Sequence, residues 1–593
     1  MKKKIFLLII SLFVIACSSD PGGDGGGSDN GGGNNNGGGN NNGGGNNSGT
    51  TDTTDPNDFD STTSPGDTTY YISYNSGNDN NDGKSEDKPF KNLGKINSIT
   101  FNPGDKIKFK SGETWKGYFK LRGSGSENKP IVIENYASGN KPVIDGDGYQ
   151  AAVFIENREY VTVSSLELTN QASHKNSNGS VKLMNQSSRS GLNERYGLLV
   201  LRSGSNNVKN ISLSDLKINN IYPSPTDSDN NHQGYGIRFE SENDDNVLNY
   251  YDGITAENLD ISNTGHYGLH IVNRMTGAQE DYYHRNIVIK NSKFTDTGGS
   301  GIVLARCKDV VVENSEFKGS GSGKDSRMWN RGSSLWTYTC NDTVIQNNLF
   351  EDVYGPQDSY GAHIDWGCER VVIQYNLSKN NYGGFAEILG ENIMCGYRYN
   401  ISIGDGGRTN SNTGRTFWIS DYAGSNTRRI GSEDNFIYNN TVFIPSQNPA
   451  NNNAPFDHLE IFIRPNTKNT YIYNNLIYIS DKAKLKIDTR NDGTVNDWKN
   501  NLFFGNLVID GGSDYEHNGT EIFTNPLLAN PGGSTPNDYK LQASSPAIGS
   551  GFIINGSDEV KNYIQNNGGR DYFGNSVSSN SKEDKWTTLL QKL

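Results

Sequence analysis

Apolar residues are scarce in this sequence: the hydrophobic share is only 32% of 593 residues. A compact core in a chain of this length would need more aliphatic residue than that. Three further shortages narrow the field. Basic residues do not dominate. Lys and Arg number 54 against 67 Asp and Glu, a net charge of −13 that argues against broad nucleic-acid binding. No C-x-x-C pair and no His-rich ligand spacing occurs, so nothing points to zinc. Neither W-D nor L-x-x-L-x-L repeats recur, which sets propellers and leucine-rich horseshoes aside. What abounds is glycine, at 70 residues, together with asparagine. A solenoid buries a thin continuous core and tolerates such a composition.

The chain opens with MKKKIFLLIISLFVIAC, three lysines followed by an apolar run from Ile5 to Ile15. Residues 1–17 read as a secretory signal, too short to span a membrane as a mature helix. Its ending V-I-A-C resembles a bacterial lipobox, which implies a lipid on Cys17. Residues 18–68 are almost entirely Gly, Asn, Ser, Asp and Thr, a composition that cannot bury enough apolar surface to order itself. They read as a disordered tether. Signal, cysteine and tether together resemble surface lipoproteins of Bacteroidetes-type bacteria, implying a lipid-anchored outer-membrane protein at the cell surface. A monomer is expected.

From residue 69 to about 510 a short strand unit recurs with loops of varying length. V-I-Q-N-N-L-F, V-I-Q-Y-N-L-S, F-I-Y-N-N-T-V-F and Y-I-Y-N-N-L-I-Y carry Asn348, Asn376, Asn440 and Asn475, with Asn400 between them. Asparagine suits a turn because it tolerates left-handed backbone and hydrogen-bonds its neighbours, so a stacked asparagine ladder is expected. A second set of strands is led by glycine: G-I-R-F-E at 236, G-L-H-I-V at 268, G-I-V-L-A at 301, G-A-H-I-D at 361 and G-G-F-A-E at 383. Side chains alternate along a strand. The first and third residues after glycine are mostly aliphatic and face in, and the second and fourth face out. The predicted fold is all-β, a right-handed parallel β-helix, with residues 511–593 packing along it or capping its end.

The outward row gathers Arg238, His270, Trp336 and His363, and beside them Glu240, Tyr338 and Asp365. Aligned on Gly383, the next strand adds Glu387 opposite Asp365. Adjacent rungs lie roughly 4.8 Å apart, so these carboxylates would form a pair suited to glycosidic bond cleavage. His363 and His270 would position substrate or act as bases. Arg238 and Arg306 suit an anionic group, although for either one a structural ion pair is the better reading. Trp336, Tyr338, Trp366 and Trp418 suit stacking on a sugar ring. Cys307, Cys340, Cys368 and Cys395 follow successive strands, fitting either a disulfide or an interior thiol stack. Asp79, Asn81, Asp82 and Gly83 offer an incomplete calcium loop, and a plain Asn/Asp-Gly turn fits them better. Calcium is possible there, and no other cofactor is indicated.

The glycine-led rungs, K-P-I-V-I-E-N-Y-A-S-G-N-K-P-V-I-D-G near the start, and D-W…V-V-I-Q-Y-N…G-G-F-A-E-I-L-G resemble bacterial β-helical carbohydrate-active enzymes. That group includes glycoside hydrolases and alginate- or chondroitin-type polysaccharide lyases. The resemblance implies a polysaccharide substrate and, with the carboxylate pair, a glycoside hydrolase. The alternatives are a lyase, which would recruit Arg238, His270, His363 and Tyr338 against a uronate, and a non-catalytic glycan-binding surface protein.

Overall fold

The computed structural model describes residues 58–171, 194–203, 207–223, 232–241, 249–274, 280–409, 413–490, 496–554, 559–565 and 570–577. The signal, Cys17 and most of the tether lie outside these residues.

Three long parallel sheets of 14, 13 and 13 strands run the length of the molecule, and consecutive strands pass from one sheet to the next. This is a parallel β-helix. The described helices are short, Leu93–Asn97 near the first rungs and Glu559–Gln565 in the C-terminal segment. That segment packs along the side: Tyr438 Oη donates to the carbonyl of Ile564, and Arg570 reaches Asn347 at 2.9 Å and covers the ring of Tyr375.

The interior is thin and stacked. Phe294, Phe317 and Phe350 lie ring on ring at 4.9 Å spacings. The four cysteines are buried free thiols, so the interior reading holds over the disulfide. The leading glycines are required by close approach: a Cβ on Gly236 would sit 2.5 Å from the carbonyl oxygen of Gly268.

The asparagine ladder is continuous. Asn376, Asn400, Asn440, Asn475 and Asn501 each accept, through Oδ1, from the backbone N–H of the ladder asparagine one rung earlier. Each Nδ2 donates to a buried carbonyl, as from Asn400 to Ile373 at 2.9 Å. The left-handed backbone falls one residue earlier than expected, on Asn347, Tyr375, Tyr399, Asn439 and Asn474. The ladder asparagines work through their side chains, and the residue before each makes the corner.

Asp79 is already engaged, accepting from the main chain of Lys91 and Asn92 and from the side chain of Asn92, 12 and 13 residues on. Asn81 donates to Pro89.

Candidate active site

One sheet carries the site. Its strands Gly234–Ser241, Leu269–Asn273, Ile302–Ala305, Leu335–Tyr338 and Ala362–Ile364 pair in register, giving the outward row Arg238, His270, Val303, Trp336, His363. The alternation predicted from sequence therefore places these residues on one face. The face is covered rather than solvated: Leu199, Val272, Val303, Trp336 and Tyr338 form a buried apolar cluster against which Trp329 and Trp366 pack.

The next rung corrects the expected pairing. Ile364 pairs with Ile388 and Tyr360 bridges Gly384, so neither glycine of the pair stands opposite Gly361; Phe385 does, two residues on from the expected Gly383. Glu387 therefore stands beside His363, not beside Asp365, with Oε2 3.2 Å from His363 Nδ1. A slip of two residues preserves the outward face, because the strand period is two, but it changes the neighbour. Phe385 turns inward against Tyr397.

A small open pocket of about 250 Å³, solvent at its mouth included, lies over the seventh and eighth strands of this sheet. Trp329, Gly332, Ser333, Trp336, Asp358, His363 and Asp365 line it. Of the residues singled out in the sequence, Asp365, His363 and Trp336 meet here. Asp365 is 5% exposed. Burial raises its pKa to about 7, against a donated N–H from Trp366 that lowers it; Asp358 pushes it further up and Arg331 down. At neutral pH this carboxyl is poised to hold a proton. Burial lowers His363 to about 4, so it is a neutral imidazole. Its Nδ1 lies 2.8 Å from Ser333 Oγ, which also accepts from the N–H of Tyr360.

Asp358 was not singled out in the sequence. It sits in the irregular stretch E-D-V-Y-G-P-Q-D-S-Y, where neither strand alternation nor a motif marks it. Arg331 Nε pairs with its carboxylate at 2.8 Å. Asp358 and Ser359 both take left-handed backbone, φ 59° and 58°. The described chain uses that region mostly one residue at a time, and the other non-glycine pair is Asn452–Asn453, the residue type that tolerates it best. For Ser359 the conformation costs about 1–2 kcal/mol.

The remaining candidates stand elsewhere. Arg238 and Glu240, expected to contact substrate, are buried and paired with each other at 2.6 Å, and Arg274 bonds the second oxygen of Glu240. A carboxylate with no exposed surface between two guanidiniums is a structural anchor. Arg306 donates to the carbonyl of Asn273 and covers the ring of Tyr338, which packs on Trp336 and Trp366. Trp366 lies under the hairpin Tyr422–Ser425/Arg428–Arg429, where a Cβ on Gly424 would meet its ring at 2.9 Å. Trp418 packs with Tyr360, Leu389, Tyr422 and Phe462 beneath the guanidinium of Arg415. His270 is half-buried against Tyr235 and Tyr267, two rungs before Trp336.

No protein-family model matches the chain. It is 25% identical over 507 residues to a lacto-N-biosidase of Bifidobacterium longum, a match covering 70% of this chain and 30% of that protein. The chain thus spans under a third of the length of the curated relative it matches. The crystal structure of a GH136 lacto-N-biosidase from Eubacterium ramulus superposes with a TM-score of 0.50 at 20% identity, covering 74% of this chain and 67% of that one. The chain shares the β-helical fold of that enzyme, and the resemblance to β-helical carbohydrate-active enzymes read from its sequence is borne out.

Proposed function

We propose that this chain is a glycoside hydrolase whose pocket cleaves an oligosaccharide or a polysaccharide end unit with Asp365 and Asp358. The observation that carries the reading is one pocket holding two carboxyl groups in opposed environments, one buried and one paired with a guanidinium. Glycosidic cleavage uses such a division: an acid donates a proton to the leaving oxygen, while a carboxylate attacks the anomeric carbon or deprotonates a water. Asp365 is the donor in this scheme and Asp358 the anion. Trp329 and Trp336 offer ring faces for the sugar. Ser333 and His363 supply neutral hydrogen-bonding groups. Glu387 stands beside His363, with Oε2 3.2 Å from its Nδ1. Sequence likeness to a lacto-N-biosidase supports the same reaction class.

A lyase would need free basic groups for a uronate, yet Arg238 is committed to Glu240 and Arg331 to Asp358. The N-terminal signal and Cys17 support a lipid-anchored protein on the outer surface of the cell, which labelling with a fatty-acid analogue in wild type and Cys17→Ala would test.

The test of function is a panel of oligosaccharides and polysaccharides, the lacto-N-biosidase substrate among them, read for new reducing ends and for the ultraviolet absorbance of an unsaturated uronate. Reducing ends alone, lost in both Asp365→Asn and Asp358→Asn, are expected. Both signals together would make the protein a lyase. Binding without either would make it a glycan-holding protein.

A further inference from the structure

Asp358 enters the pocket from an irregular segment, so something other than sheet pairing must hold it. The two successive left-handed residues, Asp358 and Ser359, are gripped from outside their own rung. Arg408 lies 50 residues on in the chain and is 5% exposed. Its Nη1 donates at 3.1 Å both to the carbonyl of Asp358 and to Ser359 Oγ. Arg408 is itself tied down: its N–H donates to the carbonyl of Tyr382, and its carbonyl accepts from Gly414. On the other side, Gly383 N donates to the carbonyl of Ser359, and a Cβ on Gly383 would sit 2.1 Å from the carbonyl oxygen of Asp358.

We infer that Arg408 is a positioning residue: it clamps the Asp358–Ser359 corner and so aims the Asp358 carboxylate into the pocket. This rests on the glycosidase reading above. Arg408 does not line the pocket, and its Nη1 bonds reach the Asp358 carbonyl and Ser359 Oγ, so its hold on the site runs through the Asp358–Ser359 corner. A buried guanidinium with donors in a rigid fork can hold two acceptors at once in fixed geometry, which an ammonium on a flexible stem does poorly. Without it the left-handed pair has less to over-determine it and relaxes, carrying the carboxylate away from the reacting carbon. Misplacement by about 1 Å costs on the order of 100-fold in rate.

The experiment compares the full-length enzyme with Arg408→Lys, Arg408→Ala and Asp358→Asn on the substrate identified by the panel, with kcat and KM measured on protein shown folded by circular dichroism. Expected are a kcat lower by about 100-fold in Arg408→Ala with KM within about threefold, and a partial recovery of kcat in Arg408→Lys. If Arg408→Ala does not fold, Arg408→Lys decides alone, with a kcat at least about tenfold below wild type expected for folded protein. A folded Arg408→Lys with wild-type kcat overturns the inference, provided Asp358→Asn is inactive. An active Asp358→Asn overturns the functional reading itself and the inference with it.

Discussion

Replacing Asp365 by Asn should stabilise this protein at alkaline pH while abolishing its activity. Burial lifts the Asp365 carboxyl from an ordinary 3.8 to about 7. At pH 5 the folded protein therefore keeps a proton that the unfolded chain has largely released, and folding takes one up. Raising the pH favours the unfolded state until the folded carboxyl ionises near 7. The stability tied to this group is full below about pH 4 and lost by pH 7, at about 1.4 kcal/mol per pH unit. Between pH 5 and pH 8 wild type should lose about 3 kcal/mol on its account. Asp405 is likewise buried and raised to about 7, so it contributes a loss of the same sign in both proteins and serves as an internal control. The assay is urea unfolding of wild type and Asp365→Asn at pH 5 and pH 8. Wild type should lose more stability than the variant by about 3 kcal/mol over that interval. Parallel losses would show that Asp365 is ionised throughout and refute its role as proton donor.

Asn400→Ala should destabilise by about 3 kcal/mol in chemical unfolding, because the Ile373 carbonyl and the Asn376 N–H lose their buried partner; a loss under about 0.5 kcal/mol would mean that the ladder bonds are replaced by water. Trp329→Ala, which removes one aromatic wall of the pocket, should raise KM by about tenfold with kcat little changed, as expected for lost stacking of about 1.4 kcal/mol. Equal falls in kcat and kcat/KM would place Trp329 in transition-state binding instead.

The rungs, their inward and outward faces and the asparagine stack were legible because each repeats a local rule. Strand alternation has a period of two and the ladder recurs beside the same apolar run, so both survive loops of any length. Register between two particular rungs obeys no such rule. A glycine at 383 looks like the partner of Gly361 by residue type, but the register is made in three dimensions, where Tyr360 bridges Gly384, leaving Phe385 opposite Gly361, and Tyr397 Oη donates to the carbonyl of Ala362. Aligning on Gly383 put Glu387 next to Asp365. Asp358 was hidden for a related reason: its position comes from an ion pair with Arg331 and from Arg408, partners 27 and 50 residues away on other loops. Burial of the outward face was also invisible, since it depends on how the intervening loops fold back over Trp336 and Tyr338.

The pocket lies on the seventh and eighth of thirteen strands in its sheet. At roughly 4.8 Å per rung, about 25–30 Å of stacked backbone separates it from either end. A solenoid is held rung to rung, so thermal opening starts at the termini and works inward. Amide exchange should accordingly be fastest in the outermost rungs and slowest around Trp336 and His363, and catalysis should outlast the melting of both ends of the rod.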